Sequence, residues 1–424
     1  MVNFGLSIGL FALLTGTPIF LAFVLWAGFP LHFGMGIPLS AIANLCVGGM
    51  DKYVLLAIPM FILAGNLMVI TGVAKRLVDL FVSFIGHING GMPVVVVLTC
   101  AFFGACSGSS LAIQVAVGSI MIPMMKEQGY QPSFTAGLVA VSAMIGMLIP
   151  PSNGLIITGA ITGTSVSKLF MAGLVPGLLM ALTFSVYAFI VGRRQNNSVI
   201  RFTSQQRKRA VIESLPSLSI PVVVLGGIYS GLFTPTEAAS VACFVAVAIG
   251  LIHRSLSWQG MATSLKKAAT STAMIYLLIC TAVLLSAMFS YVKIPQNITA
   301  WATGSDVGLP MFILVMSLVL VVLGTLIEAV PGAYISFPVL FPVAIALGMD
   351  PLVFCVLAMA MMGAGNITPP VGVALYTAAA ISKEPVPKVL KACLPLWFQW
   401  ISVLLLMAYF PKIATYLPSL MSAN

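Results

Sequence analysis

The sequence predicts an all-α polytopic membrane protein built from two inverted repeats, each carrying a re-entrant helical hairpin and a broken helix. Composition is the first ground: 60% of the 424 residues are hydrophobic and 7% charged, with a mean hydropathy of +1.13, whereas soluble globular domains carry roughly 25% charge. The second ground is an internal match at a fixed offset of 219 positions. It pairs Pro123 with Pro342, Gly129 with Gly348, Pro132 with Pro351, Gly146 with Gly365, and Pro150-Pro151 with Pro369-Pro370. Thr15 and Thr17 fall on Thr234 and Thr236 at the same offset, so the duplicated unit begins near the N-terminus. The third ground is parity. Five expected crossings separate the first span from its mate, and an odd number inverts the second repeat.

Taken in order, apolar runs long enough to cross a bilayer, about 20 residues, occupy 4–28, 51–71, 168–192, 209–231, 234–253, 270–290 and 387–411. Two further runs, 133–162 and 352–381, are long enough but broken by the paired prolines, which makes nine spans. Segments 72–90 and 291–309 are mates that carry charge or Pro and Gly breaks, and they suit helices lying at the interface. Segments 92–126 and 311–345 each contain two apolar arms of about 15 residues around a small or polar tip, too short to cross comfortably. A hairpin of that kind is tolerated at membrane depth only where protein or a wet cavity surrounds its tip. Stretches 30–50 and 249–269 are placed outside the bilayer, because His253, Arg254, Lys266 and Lys267 make spanning costly. The first apolar run lacks a basic leader and has the length of a span, so it is expected to remain in the mature chain. The first repeat covers 1–192, a basic linker 193–208, and the second repeat 209–424.

Charge tests this arrangement. With the linker in the cytoplasm, fifteen of the 19 Lys and Arg fall inside and only Lys52, Lys168, Lys293 and Lys412 outside, as the positive-inside rule requires. The N-terminus is then cytoplasmic and the C-terminus periplasmic. The net charge of +10 thus reads as topology, and a nucleic-acid partner is not expected. The seven cysteines show no CxxC spacing and read as packing residues. The three histidines are isolated, so no transition-metal site is expected.

The chemistry lies where apolar sequence is interrupted. All Lys and Arg sit in loops or near segment ends, so an anion at the midplane has no buried basic side chain to meet. Broken helices supply half-helix N-termini for anionic groups, and unwound carbonyls for a cation such as Na⁺. One such set is the tip Ser107 to Ser110 facing the break Gly146 to Asn153. The other is the tip Gly324 to Gly332 facing Gly363 to Gly372, with Thr368 as a hydroxyl ligand. Hydroxyl and carbonyl oxygens are hard ligands suited to an alkali cation. Taken alone, Ser-Gly-Ser-Ser reads as a small-residue packing face, and paired prolines as a kink. Recurrence of both tips and both breaks in register favours sites. Glu328, at the second tip, is either an intramembrane functional acid or a hydrated one. Asn153 and Asn366 are neutral substrate contacts, and Glu237 in Thr234-Pro-Thr-Glu237 is a helix cap.

Gly104-Ala-Cys-Ser-Gly-Ser-Ser110, Pro123, Gly129-Tyr130, Leu148-Ile-Pro-Pro-Ser152, Leu169-Phe170, Gly173-Leu-Val-Pro-Gly177, Gly231-Leu-Phe-Thr-Pro-Thr-Glu-Ala238, Gly348-Met-Asp-Pro351 and Thr368-Pro-Pro-Val-Gly372 together resemble the large membrane subunit of tripartite ATP-independent periplasmic (TRAP) transporters. The resemblance covers nearly the whole chain. It implies an elevator-type importer in a bacterial or archaeal inner membrane, driven by a Na⁺ gradient and completed by a small four-helix membrane subunit and a periplasmic substrate-binding protein. The substrate it implies is a small organic anion: a C4-dicarboxylate, sugar acid or keto acid. Carried over by position, one sodium site comprises Ser107, Ser110, Gly146, Ile149 and Pro151, and the other Gly324, Gly365, Thr368 and Val371. Ser109, Asn153, Glu328 and Asn366 are the candidate substrate contacts. This chain places its asparagine at 366, a departure from the family's commoner order before Thr-Pro-Pro.

A stand-alone sodium/dicarboxylate symporter of similar architecture is the alternative, and it differs only in its partners. An intramembrane enzyme is disfavoured, since no HExxH, GxSxG or paired intramembrane aspartates occur. A channel is a third class, which the tip-to-break pairing argues against and which flux that saturates and requires a sodium gradient would exclude.

Overall fold

Interruptions in apolar sequence set where helices begin and end. The computed structural model describes residues 7, 11, 12, 15–195, 199, 200, 202–304 and 308–421. The first half runs α1 (Ile19–Gly34), α2 (Leu39–Met50), α3 (Tyr53–Ile70), α4 (Val73–Ile85), the hairpin arms α5 (Gly91–Ser107) and α6 (Ser110–Glu127), a broken helix of α7 (Pro132–Met147) and α8 (Asn153–Thr162), then α9 (Val166–Arg194). The second half runs α10 (Ser204–Tyr229), α11 (Pro235–Ile252), α12 (Trp258–Tyr291), α13 (Ile294–Gly304), the arms α14 (Leu309–Leu326) and α15 (Ala329–Ala346), the broken pair α16 (Pro351–Gly365) and α17 (Val373–Ser382), α18 (Val386–Tyr409) and α19 (Lys412–Met421). No strand occurs among the described residues.

The repeat is visible in the helix bounds. Moved by 219 positions, Ser110–Glu127 becomes 329–346, the limits of α15, and Pro132–Met147 becomes 351–366, one residue longer than α16. Local chemistry fixes these starts. Proline, which has no N–H to leave unpaired, occupies the first position of α7, α11 and α16. Thr234 and Glu237 form a reciprocal capping box at α11, which is the capping role expected for Glu237. Asp350 caps α16 by accepting from Leu352 N at 2.8 Å.

Among the described residues eight helices are long and apolar enough to cross a membrane: α3, α9, α10, α11, α12, α14, α15 and α18. They include six of the seven unbroken spans expected. The other, 4–28, is described only in part. Most of 4–14 lies outside the described residues, as does Arg201 of the linker, and α1 itself is short and passes through two π-helical turns, Val24–Gly28 and Pro30–Gly34. The hairpin arms are longer than expected, at 17 residues in α5 and 18 in each of α6, α14 and α15. At 1.5 Å per residue they reach about 27 Å, close to the roughly 30 Å hydrocarbon core. The interfacial mates appear as the amphipathic helices α4 and α13.

Residues 258–269, expected outside the bilayer, do not form a separate element. They are the first third of α12, a single helix of 34 residues and about 51 Å, longer than any bilayer core. Its mate is bent: α2 and α3 cover the same stretch of the first repeat but part at Asp51 and Lys52. There the Lys52 ammonium donates to Ala160 O in the last turn of α8, where helix carbonyls lack partners and favour a cation.

The helices pack in two groups. In one, α3 packs on α11 and α12, α12 on α1 and α2, and α10 on α11. In the other, both hairpins and both broken helices pack together with α9 and α18. The arms α4 and α13 lie against hairpin helices α5 and α15. Within the second group α16 is apolar all round and buried from Val353 to Gly365, as a helix enclosed by others must be. Two indoles fasten it: Trp400 Nε1 donates to Ala360 O at 3.0 Å and Trp397 Nε1 to Ala364 O at 3.1 Å.

Candidate functional site

Each hairpin tip is hydrogen-bonded to the break of its own repeat. In the first, Gly108 adopts φ +61°, a conformation glycine enters freely, and its carbonyl accepts from Asn153 N at 3.3 Å. In the second, Thr325 O accepts from both Val371 N at 3.1 Å and Gly372 N at 3.3 Å. Close backbone approach accompanies both. Gly104 of α5 lies against Gly146, and Gly324 of α14 lies against Gly365. Gly146 and Gly365 are repeat mates, while their hairpin partners are offset by one position, the mate of Gly104 being Leu323. The Pro150-Pro151 and Pro369-Pro370 peptide bonds are both cis.

In the first site Ser107, Gly146, Ile149 and Pro151 are buried, while Ser109 and Ser110 are half-buried. The Ser107 hydroxyl has no hydrogen-bond partner, nor has Oδ1 of the buried Asn153. Unpartnered buried oxygens are rare, because they forfeit hydration for nothing. Ser109 does not reach toward the break but caps α6, accepting from Ala112 N at 3.4 Å. Ser107 itself lies on α3 of the other helix group, where a methyl added to Gly65 would sit 3.1 Å from Ser107 Cβ.

In the second site Gly324, Gly365 and Asn366 are buried and Thr368 is half-buried. Pro369, Pro370 and Val371 are exposed, in contrast to the buried Pro150, Pro151 and Ser152 of the first. Thr368 Oγ1 donates its proton to Ala364 O at 2.9 Å, which leaves the hydroxyl lone pairs as acceptors. Asn366 Oδ1 is buried and unpartnered, like Asn153 Oδ1. Glu328 is the repeat mate of Ser109. It occupies the N-cap of α15 without a side-chain cap bond and is exposed in the isolated chain.

Three residues of this region were not singled out in the sequence. Ser152 closes the first break, donating to Met147 O at 2.8 Å and capping α8 through Leu155 N at 3.4 Å. A serine directly before a helix is a readable cap signal. Thr325 acts through its carbonyl, which no side-chain pattern reveals. Gln114 in α6 donates through Nε2 to Ala374 O of α17, a contact 260 positions away in the chain. The donor set is hard oxygen throughout. Among the described residues no cluster of three or more His, Cys, Asp or Glu side chains is positioned to hold a metal ion.

The comparisons with known proteins agree with this architecture. A family model, Tripartite ATP-independent periplasmic transporter, DctM component, matches residues 6–413. The C4-dicarboxylate TRAP transporter large permease protein DctM of Rhodobacter capsulatus is 35% identical, with 99% of each chain covered. The sialic acid TRAP transporter large permease protein SiaM of Vibrio cholerae is also 35% identical, over 94% of this chain and 96% of that one. Among solved structures, the Alcanivorax borkumensis YdaH transporter superposes with a TM-score of 0.61 over 89% of this chain and 90% of its own, at 16% identity. That likeness extends to the fold alone. With the family model spanning the hairpins, both breaks and the outer spans, the chain belongs to the DctM component of the tripartite ATP-independent periplasmic transporters: a multi-pass inner-membrane transport subunit, not an enzyme, which works with a small membrane subunit and a periplasmic binding protein.

Proposed function

We propose that this chain couples inward movement of Na⁺ to import of a small organic anion, and that it does so by sliding the hairpin group past the other helices. The observation that carries the reading is the pair of tip-to-break junctions. Each brings a hairpin tip against an unwound segment, and unpartnered oxygens of Ser107, Asn153 and Asn366 lie beside them. Na⁺ takes the role of co-transported substrate, held by Ser107, Ser110, Gly146, Ile149 and Pro151 in one repeat and by Gly324, Gly365, Thr368 and Val371 in the other. The substrate carboxylate binds between the tips, near Ser109, Asn153 and Asn366. The bound cations and the N-termini of α6, α8, α15 and α17 stabilise its charge. Glu328 faces a hydroxyl or amino group of the substrate. If ion and anion both favour the closed tips, coupling follows from their differential affinity for one conformation.

The relatives' names include C4-dicarboxylates, sialic acid, ectoine and the sulfonate isethionate, so the class proposed is a small organic anion, with a carboxylate favoured, rather than one compound. The N-terminus lies in the cytoplasm and the C-terminus in the periplasm in this reading. The test is uptake of a panel of radiolabelled carboxylates into proteoliposomes holding this chain and its small subunit, with and without an inward Na⁺ gradient and with and without the binding protein. Uptake requiring both supports the proposal. Uptake that needs no binding protein overturns the tripartite mechanism, and sodium-independent uptake overturns the coupling.

A further inference from the structure

The second arm of each hairpin packs against the half-helix of the opposite repeat: α6 lies on α17, and α15 lies on α8. The broken helices also pack on each other directly, α7 on α17 and α8 on α16, and the two hairpin crossings add a path from each hairpin to the opposite break. They are chemically unequal. At the first, the fully buried Gln114 reaches from α6 to α17, with Nε2 donating to Ala374 O. At the second, the mate of Gln114 is Ala333, which is also fully buried and brings no polar atom.

Gln114 is costly where it stands. Its Oε1 is buried without a partner, and a buried amide that satisfies only half its capacity is less stable than an apolar side chain of the same shape. Its position explains why a polar group is useful there. Gln114 lies one helical turn beyond Ser110, on the same face of α6. The residue it grips, Ala374, in turn donates its own N–H to Asn366 O at 3.1 Å. Asn366 sits between Gly365 and Thr368, two of the ligands proposed for the second sodium ion. A chain of hydrogen bonds and one helical turn therefore runs from Ser110 to the second break. The tip junctions do not provide this, because each stays within one repeat.

We infer that Gln114 couples the two breaks, so that an ion bound at one raises the affinity of the other. It is a positioning residue that touches neither ion. When Ser110 is drawn onto a cation, α6 shifts by a fraction of an ångström. Gln114 carries the shift to the first turn of α17, and Ala374 then fixes the carbonyl of Asn366. This inference rests on the sodium reading proposed above.

The test is equilibrium binding of radioactive sodium to the full chain reconstituted with its small subunit in nanodiscs, at constant ionic strength set with choline. Gln114→Met keeps the length of the side chain and removes the amide. Gln114→Leu is the second variant should the first assemble poorly, and unfolding temperature without sodium confirms that either is intact. The wild type is expected to bind with a Hill coefficient approaching about 2, the limit for two coupled sites, and the variant with one near about 1 at unchanged stoichiometry. A merely structural role would lower the unfolding temperature or the stoichiometry and leave the Hill coefficient alone. A cooperative wild type with an equally cooperative variant overturns the coupling role, as does a wild type that binds two ions independently. A wild type that binds no sodium at all overturns the sodium reading itself, which separates the two failures.

Discussion

Replacing Gly365 with alanine tests whether the second hairpin owes its position to close backbone contact. A methyl at Gly365 would lie 2.5 Å from both Cα and C of Gly324, and closer still to Val321 O. The optimum for two carbons is about 3.5 Å or more, so the shortfall is about 1 Å against three backbone atoms that cannot rotate away. Overpacking of a well-packed core costs about 1–3 kcal/mol, and the absence of any yielding side chain puts Gly365→Ala at or above the upper end. Gly332→Ala is the control. Its added methyl would meet only the Cε and Sδ of Met362, the outer atoms of an unbranched, adaptable side chain, while alanine gains about 1 kcal/mol of helix propensity over glycine. Thermal unfolding of the two purified variants should therefore separate them by at least about 2 kcal/mol, with Gly332→Ala near the wild type. Because Gly365 is a proposed ligand, Gly365→Ala should also abolish sodium-driven uptake. Equal unfolding temperatures for the two variants would refute the view that the glycine contact holds α14 on α16.

Three further outcomes are expected. Ser152→Ala removes the cap of α8 and the bond to Met147 O, and should cost about 1 kcal/mol in thermal unfolding while the second break is unaffected. Thr368→Val deletes a hydroxyl whose proton is already committed to Ala364 O and whose lone pairs are offered to a cation; half-saturating sodium should rise about tenfold, as for loss of one charge-assisted contact, whereas Thr368→Ser should stay close to the wild type. His253, just past α11, has its pKa lowered by desolvation and then by the charge of Arg76, against a smaller opposing pull from Glu213. The folded state thus binds this proton less readily than the unfolded chain, so stability present above the unfolded value of about 6.5 begins to be lost there and goes on being lost as pH falls through the lower folded value. Unfolding temperature should drop on acidification below about pH 6.5 less in His253→Asn than in the wild type, and an unchanged slope would discount that histidine.

The sequence made the skeleton legible because proline and glycine act locally. Pro132 with Pro351 marks helix starts and the two proline pairs mark breaks, so the repeat could be placed without any knowledge of packing. The amphipathic arms are likewise readable, α4 from its charges and α13 from the Pro and Gly around it. The extent of α12 was not. Lys266 and Lys267 argue for placing 249–269 outside the bilayer, but a helix that runs beyond the hydrocarbon into water loses nothing by carrying them. Within the candidate site, Ser107, Asn153, Asn366 and Thr368 stand out in the sequence because each is a polar side chain interrupting a local apolar pattern. Those that act through a distant partner were missed. Thr325 offers a carbonyl, and Gln114 reads as one polar residue in an apolar helix until α17 is seen beside it.

The contact between Lys52 and Ala160 O joins the two helix groups, from the bend of α2 and α3 to the end of α8. In a cycle that slides one group past the other, a bond of this kind has to be released before movement and remade on return. It holds nothing that is transported, so its strength enters neither the affinity for the ion nor that for the anion. It enters the height of the barrier between positions. A carrier can thus set its turnover at a place remote from its binding chemistry, and Lys52 is where this chain would be slowed or hastened without changing what it carries.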